Sequence, residues 1–519
     1  MKILMAAAEN DAFSGGKVGG IGDVVRDIPL ALASIDQQVD VVIPGYGVFS
    51  KLSTAKRVAV LQVMFCGHHH TVEVFKIISD MNNVTQWIIE HALFSQGGEG
   101  KIYCDDPDNR PFASDATKFA LFSAAVAKAI ISDVFGHIDV LHLHDWHTAM
   151  VSVLRAFDPE YQQLRTIKTV YTIHNLALQG IRPIADDESS LKAWFPDLSF
   201  DLNVINDPRY NHCYNPMRAG IKLADKVHAV SPTYAKEILL PSNAEHGYFG
   251  GEGLENDLRA AKNEGRLHGI LNGCEYNNLH NAKPLSFNKL LQICENELIK
   301  WLGNKPLVDS AHLIATTRIK QLTCDKPKSK PLILTSVGRI TDQKIRLFKQ
   351  TMASGESALE NLLGILGNEG IFILLGSGAP SLEHFLTQVA AKHANFIFLK
   401  GYSEALSESL YSTGDLFLMP SSFEPCGISQ MLSMRAGQPC LAHRVGGLTD
   451  TIIHNENGFT FTGNTPNEQV ENMLICFKKV LNIKLTQAKQ WQKIVKNAVN
   501  ARFLWQNVAH NYVKYLYSE

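Results

Sequence analysis

The sequence predicts an α/β protein made of two doubly wound units, and three observations predict it. Short apolar runs ending in small or polar residues alternate with longer helical patterns along the chain. These runs lack strict apolar–polar alternation, as expected of strands buried on both faces of a parallel sheet. The plan occurs twice: "VDVVIPGYG", "IDVLHLHDWH", "TVYTIHN" and "KVHAVSP" in the first half, then "LILTSVGRI", "IFILLGSG", "FIFLKGY", "DLFLMPSS" and "PCLAHRVGG" in the second. A chain of 519 residues exceeds what one core can serve, so separate domains are expected.

Taken in order, "MKILMAAAE" reads as the first strand, and "SGGKVGGIGDVVRDIPLALA" as a glycine-rich loop leading into an amphipathic helix. "GHHHTVE" at 67–73 reads as a loop-to-strand transition whose histidines lie on the surface with incidental metal affinity. "CDDPDNRP" holds Asp106 and Asp108 in D-x-D spacing, but Pro107 and the neighbouring Asn make it a turn, and no metal is assigned to it. Residues 280–330 form a polar, helix-leaning stretch closed by "CDKPKSKP", read as a surface linker between the two units. The final "WQKIVKNAVNARFLWQNVAHNYVKYLYSE" is helical in pattern and ends in aromatic residues, which predicts docking rather than a free tail.

Bulk properties exclude several function classes. Lys plus Arg (49) nearly balance Asp plus Glu (51), so no global field draws the chain to nucleic acid or anionic membrane. Nine scattered cysteines without a C-x-x-C pair support neither a disulfide framework nor a zinc site and fit a reducing cytoplasm. The first apolar run starts at Lys2 without a charged-then-apolar leader, and no apolar run approaches membrane-spanning length. The expected location is cytoplasmic.

In open α/β sheets ligands bind beyond the carboxyl ends of the strands, so residues just after each run carry the chemistry. The opening loop fits neither the P-loop nor the G-x-G-x-x-G register. Its five glycines and Lys17 within eight residues, followed by a helix start, nevertheless predict an anion there, against the alternative of a plain tight turn. "SVGRITDQK" supplies Arg339 and Lys344, which fit a diphosphate clamp and solvated surface charge equally well. Glu424 lies in a turn before Gly427 and a helix start. A carboxylate there can hold sugar hydroxyls, although in isolation a first-turn Glu is explained by the helix dipole. Cys426, between Pro and Gly, reads as packing. "HLHDWHTAM" and "YTIHNLALQG" end two strands with His144, Asp145, Trp146, His147, His174 and Asn175. An aromatic plus an acid suits sugar binding. His-x-His suits metal less well without a third ligand nearby, and any single His can be core.

Together these stretches resemble one family. "KVGG" from Lys17, "HDWH", "IHNLALQG", "AVSPTYAKEI", "GILNG", "GRITDQK", "LLGSG", "FEPCG" and "VGGLTDTI" occur over nearly the whole chain in the order seen in bacterial glycogen synthases and plant starch synthases. The resemblance implies a GT-B fold, two Rossmann-like domains facing a central cleft. It implies residues 1–265 as the acceptor domain, with a C-terminal helix 503–519 packing back on it, and 266–502 as the nucleotide-sugar donor domain. The implied reaction moves glucose from ADP-glucose to the non-reducing end of an α-1,4-glucan, with retention and without a metal or other cofactor.

The resemblance also implies roles. Lys17, Gly19 and Gly20 meet the donor phosphates, and Arg339 and Lys344 neutralise the departing nucleoside diphosphate. Glu424 lies by the glucose ring, with Gly427, Ile428 and Ser429 around phosphates and sugar and Asn272 beside the donor sugar. Tyr402 stacks on adenine, His174 sits near the reacting sugar, and Tyr103, Asp145 and Trp146 face the acceptor. The chain departs from the family pattern in "KVGGIGD", where the family has K-T-G-G-L-A-D, and at Ile345 for Gly, Ser422 for Arg and Glu275 for Asp. Two alternatives remain: a GT-B transferase using a UDP- or GDP-sugar on another acceptor, and a catalytically weak glucan-binding paralogue.

Overall fold

The computed structural model describes residues 1–79, 83–276, 285–304, 307–324 and 331–518. Most of the "CDKPKSKP" run expected as a linker lies outside the described residues. The chain divides into two compact units, one of Met1–Ser242, Gly250–Gly273 and Leu504–Glu519, the other of Asn243–Phe249 and Cys274–Phe503.

In the first unit the strands are β1 (Lys2–Ala6), β2 (Gln38–Pro44), β3 (Ala55–Phe65), β4 (His68–Ile77), β5 (Val84–Glu90), β6 (Val140–His144) and β7 (Lys168–Ile173), with β8 (Arg182–Pro183) and β9 (Cys213–Tyr214) as a small separate ladder, then β10 (Lys226–Ala229) and β11 (Leu267–Gly269). Among the described residues the main sheet has the order β11-β10-β7-β6-β1-β2-β5-β4-β3. It is parallel from β11 to β5 and antiparallel at its β4–β3 edge. The "VDVVIPGYG", "IDVLHLHDWH", "TVYTIHN" and "KVHAVSP" runs supply β2, β6, β7 and β10, all almost wholly buried. The β3–β4 hairpin is the exception to the predicted plan. Its outer strand is largely exposed, so no continuous apolar run marks it, and the histidines at 68–70 begin β4.

The second unit contains β12 (Leu332–Val337), β13 (Gly370–Gly376), β14 (Phe396–Lys400), β15 (Leu416–Met419), β16 (Cys440–His443) and β17 (Phe459–Phe461) in the order β14-β13-β12-β15-β16-β17, all parallel. Its two cores show why the runs do not alternate. Leu332, Leu334, Phe372, Leu374, Phe396, Phe398, Leu416 and Leu418 pack on one face of the sheet. Ile333, Ile371, Ile373, Leu375, Ile397, Leu399 and Phe417 pack on the other. Side chains point to opposite faces at period two, and both faces are covered by helices. The helices Phe287–Gly303 and Ser310–Cys324 contribute Leu290, Leu291, Leu298, Ala315 and Ile319 to the second face, so the described part of the stretch expected between the units is helical and belongs to the second.

The C-terminal stretch is interrupted. A helix Ala488–Asn500 belongs to the second unit, and a helix Trp505–Tyr512 with a π-helical turn Val513–Tyr517 belongs to the first. Between them the backbone of Phe503 accepts from Cys274 N and donates to the Tyr276 hydroxyl, so it cannot continue the helical ladder. Trp505 then docks on the first unit. Its Nε1 donates to Asp27 Oδ2 at 3.1 Å, and its ring lies so close to Gly273 that a Cβ there would come within 2.6 Å. That contact, with the β10–β11 pairing, carries the first unit to Gly273, past the expected boundary at 265.

Candidate functional site

Both sheets reverse strand order at one point, between β1 and β6 in the first and between β12 and β15 in the second. Loops leaving neighbouring strands diverge there and open a crevice. The expected site residues of each unit fall largely on these loops.

In the first unit the loop after β1 closes on itself through an internal carboxylate. Glu9 Oε2 accepts the backbone N–H groups of Val18 and Gly19 at 2.8 and 2.6 Å, and Oε1 accepts the Tyr103 hydroxyl at 2.7 Å. Gly19 caps the helix Gly20–Ala33 without a side-chain hydrogen bond of its own, so Glu9 serves donors at the helix entry. Lys17 Nζ lies 2.5 Å from Asp23 Oδ1 and 3.6 Å from Asp11 Oδ2. Burial pushes the Asp23 carboxyl up, against the lowering pull of Lys17. The fold therefore supplies its own anions where the sequence predicts a bound one, because buried N–H groups and a partly buried ammonium need partners. Gly20 leaves open space on its side.

The ends of β6 and β7 meet. Asp145 has φ 56° and ψ −174°, a region almost restricted to glycine, so its backbone stores strain. Its Oδ1 accepts the backbone N–H of His174 at 2.9 Å, and burial pushes its carboxyl up to about 8 against the opposing pull of the His174 and Asn175 amides. The His174 and His144 rings join through Nε2 and Nδ1 at 2.9 Å. Burial, reinforced by neighbouring histidines, holds the His174 imidazole well below its ordinary range.

Trp146, expected at the acceptor, is only 5% exposed and packs against Phe112, Phe119 and His147. Gly180 lies beneath it, where any Cβ would come within 2.2 Å of the indole. This tryptophan is a packed floor of the strand ends. Tyr103 stands beside the His147 ring. Asn272 is buried, and its Oδ1 meets no partner among the described residues.

In the second unit, β12 leads through Gly338 and Arg339 into the helix Asp342–Lys349. Lys344 Nζ lies 3.2 Å from Glu424 Oε2, and the Ser421 hydroxyl donates to the same oxygen at 3.0 Å. Arg339, Lys344, Ile345 and Ser421 line one pocket over the ends of β12 and β15. Ser422 donates both its N–H and its hydroxyl to the carbonyl of Gln343, binding the two loops together. His443 supports Ser421 from behind through its carbonyl, with Nδ1 at 3.0 Å. Gly446, at φ 42°, lies so near that a Cβ would come within 1.9 Å of the Glu424 carbonyl. Ile345 is buried in the core, so the departure from Gly is absorbed by packing. Gly427 and Ile428 lead into the helix Ser429–Arg435, Cys426 is buried, and Tyr402 is exposed just after β14.

The structure thus joins Lys344 to Glu424 and Asp145 to His174. Sequence reasoning did not single out Glu9, Asp23 or Ser421. Glu9 follows the first strand directly, and Ser421 follows β15, so the strand-end rule applied to every polar residue would have found both.

Comparisons with known proteins bear on the family and the fold. The family model for the starch synthase catalytic domain matches residues 2–260, and that for group 1 glycosyl transferases matches residues 324–497. A glycogen synthase of Hydrogenovibrio crunogenus is 30% identical over 99% of both chains. One of Streptococcus uberis is 31% identical over 99% of this chain and 98% of its own. The chain belongs to the glycogen synthase family. As a glycogen synthase family member it is a glycosyltransferase, and it shares its fold with the catalytic domain of starch synthase IV from Arabidopsis thaliana, at a TM-score of 0.75 and 24% identity over 99% and 98% of the chains. The two Rossmann-like units are those of the GT-B fold. No described helix of this family member is long and apolar enough to cross a membrane.

Proposed function

We propose that this glycogen synthase family member transfers glucose from ADP-glucose to the non-reducing end of an α-1,4-glucan, with retention at the anomeric carbon. The observation that carries the reading is the contact of Lys344 with Glu424 beside Arg339 on the strand-end loops of the second unit. The chemistry follows from charge. When the glycosidic bond to the diphosphate breaks, negative charge grows on the leaving group, and fixed cations held in a sheltered site stabilise that growth without reorganising.

In this reading Arg339 and Lys344 take the departing diphosphate, while Glu424 holds the glucose hydroxyls and, through its contact with Lys344, keeps the ammonium in place. Gly427, Ile428 and Ser429 offer backbone to the phosphates and sugar. Tyr402 presents an exposed ring for the adenine. Lys17, Gly19 and Gly20 meet the donor phosphates, for which Lys17 exchanges a protein carboxylate for a phosphate oxygen. Asn272, with its unmet buried oxygen, accepts a sugar hydroxyl. His174 serves the reacting sugar, and Asp145, Tyr103 and Trp146 shape the acceptor side, Trp146 by supporting the strand ends. The first unit, with its C-terminal stretch from Leu504, acts as the acceptor domain and the second unit as the donor domain. No metal enters the proposal, and the chain acts in the cytoplasm.

A second reading changes the nucleotide to UDP or GDP. Ser422, where the resemblance implies Arg, leaves the donor loop one cation short, but ADP, UDP and GDP carry the same diphosphate charge, so the choice of base rests on experiment. Incubating the full chain with glycogen and labelled ADP-glucose or UDP-glucose decides between them. The proposal expects label to enter polymer preferentially from ADP-glucose, and equal or reversed use overturns it.

A further inference from the structure

A row of buried histidines backs His174, and its proton positions follow from donor and acceptor chemistry. His228 Nε2 lies 3.1 Å from the carbonyl of Ile270, which only accepts, so that nitrogen carries the proton. Its Nδ1 is then an acceptor, with the Thr172 hydroxyl at 3.0 Å as the nearer donor and the Tyr512 hydroxyl at 3.4 Å as the farther one. With its one proton spent there, Thr172 Oγ1 accepts from His142 Nε2 at 2.6 Å, and His142 Nδ1 accepts from the Tyr517 hydroxyl at 2.8 Å. Burial keeps these imidazoles neutral at ordinary pH, so each carries one proton.

His144 differs. It stacks on His142 with ring centroids 4.4 Å apart, which fixes its plane. Its Nε2 is buried without a hydrogen-bond partner among the described residues, while its Nδ1 faces His174 Nε2 at 2.9 Å. A proton on Nε2 would be an orphaned buried donor, whereas a proton on Nδ1 leaves only an unmet lone pair and completes the bond to His174.

We infer that His144 is a positioning residue that donates from Nδ1 to His174 Nε2 and thereby holds His174 as the Nδ1–H tautomer, a neutral hydrogen-bond donor toward a ligand oxygen. Asp145 completes the arrangement by fixing the His174 backbone N–H. The second partner of His174 is thereby defined: its free ring proton serves an oxygen with a lone pair to offer, such as a sugar hydroxyl. This rests on the reading that His174 meets the reacting sugar.

The test is selective ¹⁵N-histidine labelling of the full chain and NMR assignment of ring protonation in the wild type, His144→Phe and His144→Asn. Asn places an amide N–H where His144 Nδ1 donates, and Phe places none. The expected result is an Nδ1–H signature for His174 in the wild type and His144→Asn, lost in His144→Phe. His144→Phe should also lower kcat at least tenfold with donor KM unchanged, and His144→Asn should recover most of it. A wild-type His174 protonated at Nε2, or a tautomer in His144→Phe identical to wild type, overturns the inference. The wild-type spectrum decides the tautomer even if Phe prevents folding. It also does so if glucosyl transfer itself fails, which would count against the proposed function and not against the ring assignment.

Discussion

At the residue scale the Lys344–Glu424 contact separates two uses of one cation. A lysine retained only to neutralise Glu424 would act on stability. A lysine held by Glu424 so that it meets the leaving diphosphate acts on turnover. Removing one such fixed charge costs about 3–4 kcal/mol of barrier, so Lys344→Ala is expected to lower kcat by about two to three orders of magnitude with an unchanged circular dichroism spectrum. Near-normal turnover in a steady-state assay would remove the role. Glu424→Ala should behave similarly, since it takes away both the sugar contact and the partner of Lys344.

The same scale shows why some residues were legible and others were not. Lys344, Glu424 and His174 stand in runs that follow strand ends, where the strand-end rule looks for ligand-binding residues. Trp146 stands there too, yet Gly180, far along the chain, supplies the flat floor against which it packs. Burial arising from a distant glycine leaves no local mark.

At the element scale the parallel strands of both sheets were readable because burial on both faces demands unbroken apolar runs. The β3–β4 hairpin was not, since its exposed edge carries mixed residues, and the break between the two C-terminal helices was expected only through the family resemblance. That break depends on Cys274 and Tyr276, far away in sequence, taking the backbone groups of Phe503. Trp505 is one of the buried residues that dock the last helix on the first unit, with Val508, Ala509 and Tyr512. Truncating a buried tryptophan costs about 3–5 kcal/mol, and the lost bond to Asp27 about 1 kcal/mol of that. Trp505→Ala should therefore speed hydrogen exchange in residues 20–33 and 505–517 while leaving the second sheet protected. Trp505→Phe should show a smaller effect of the same kind. Unchanged exchange in residues 20–33 would show that the helix docks without Trp505.

At the scale of the whole molecule, buried neutral histidines make the fold sensitive to acid. Burial lowers His228 and His443 from 6.5 to about 4 and His144 to about 3. A group whose folded pKa is depressed contributes stability that is fully present above its unfolded value and is lost as pH falls through the folded value. The window here runs from 6.5 down to about 4 and below, and His228 alone accounts for about 3 kcal/mol across it. Thermal melts should show stability falling steeply below pH 6.5. His228→Gln, which keeps a donor toward Ile270 without a titrating ring, should flatten part of that slope, and an unaltered slope would contradict the assignment.

The central claim is that fixed positive charge in the second unit answers the charge that appears on the leaving group. ADP carries one more negative charge than the same diphosphate esterified to glucose, so it mimics the developing state. Calorimetric Kd values for ADP and ADP-glucose, measured on the wild type and on Lys344→Ala, therefore test the claim most directly. The account predicts that the substitution weakens ADP binding at least tenfold more than ADP-glucose binding. Equal losses for the two ligands would mean that Lys344 merely binds the donor, and the claim would fall.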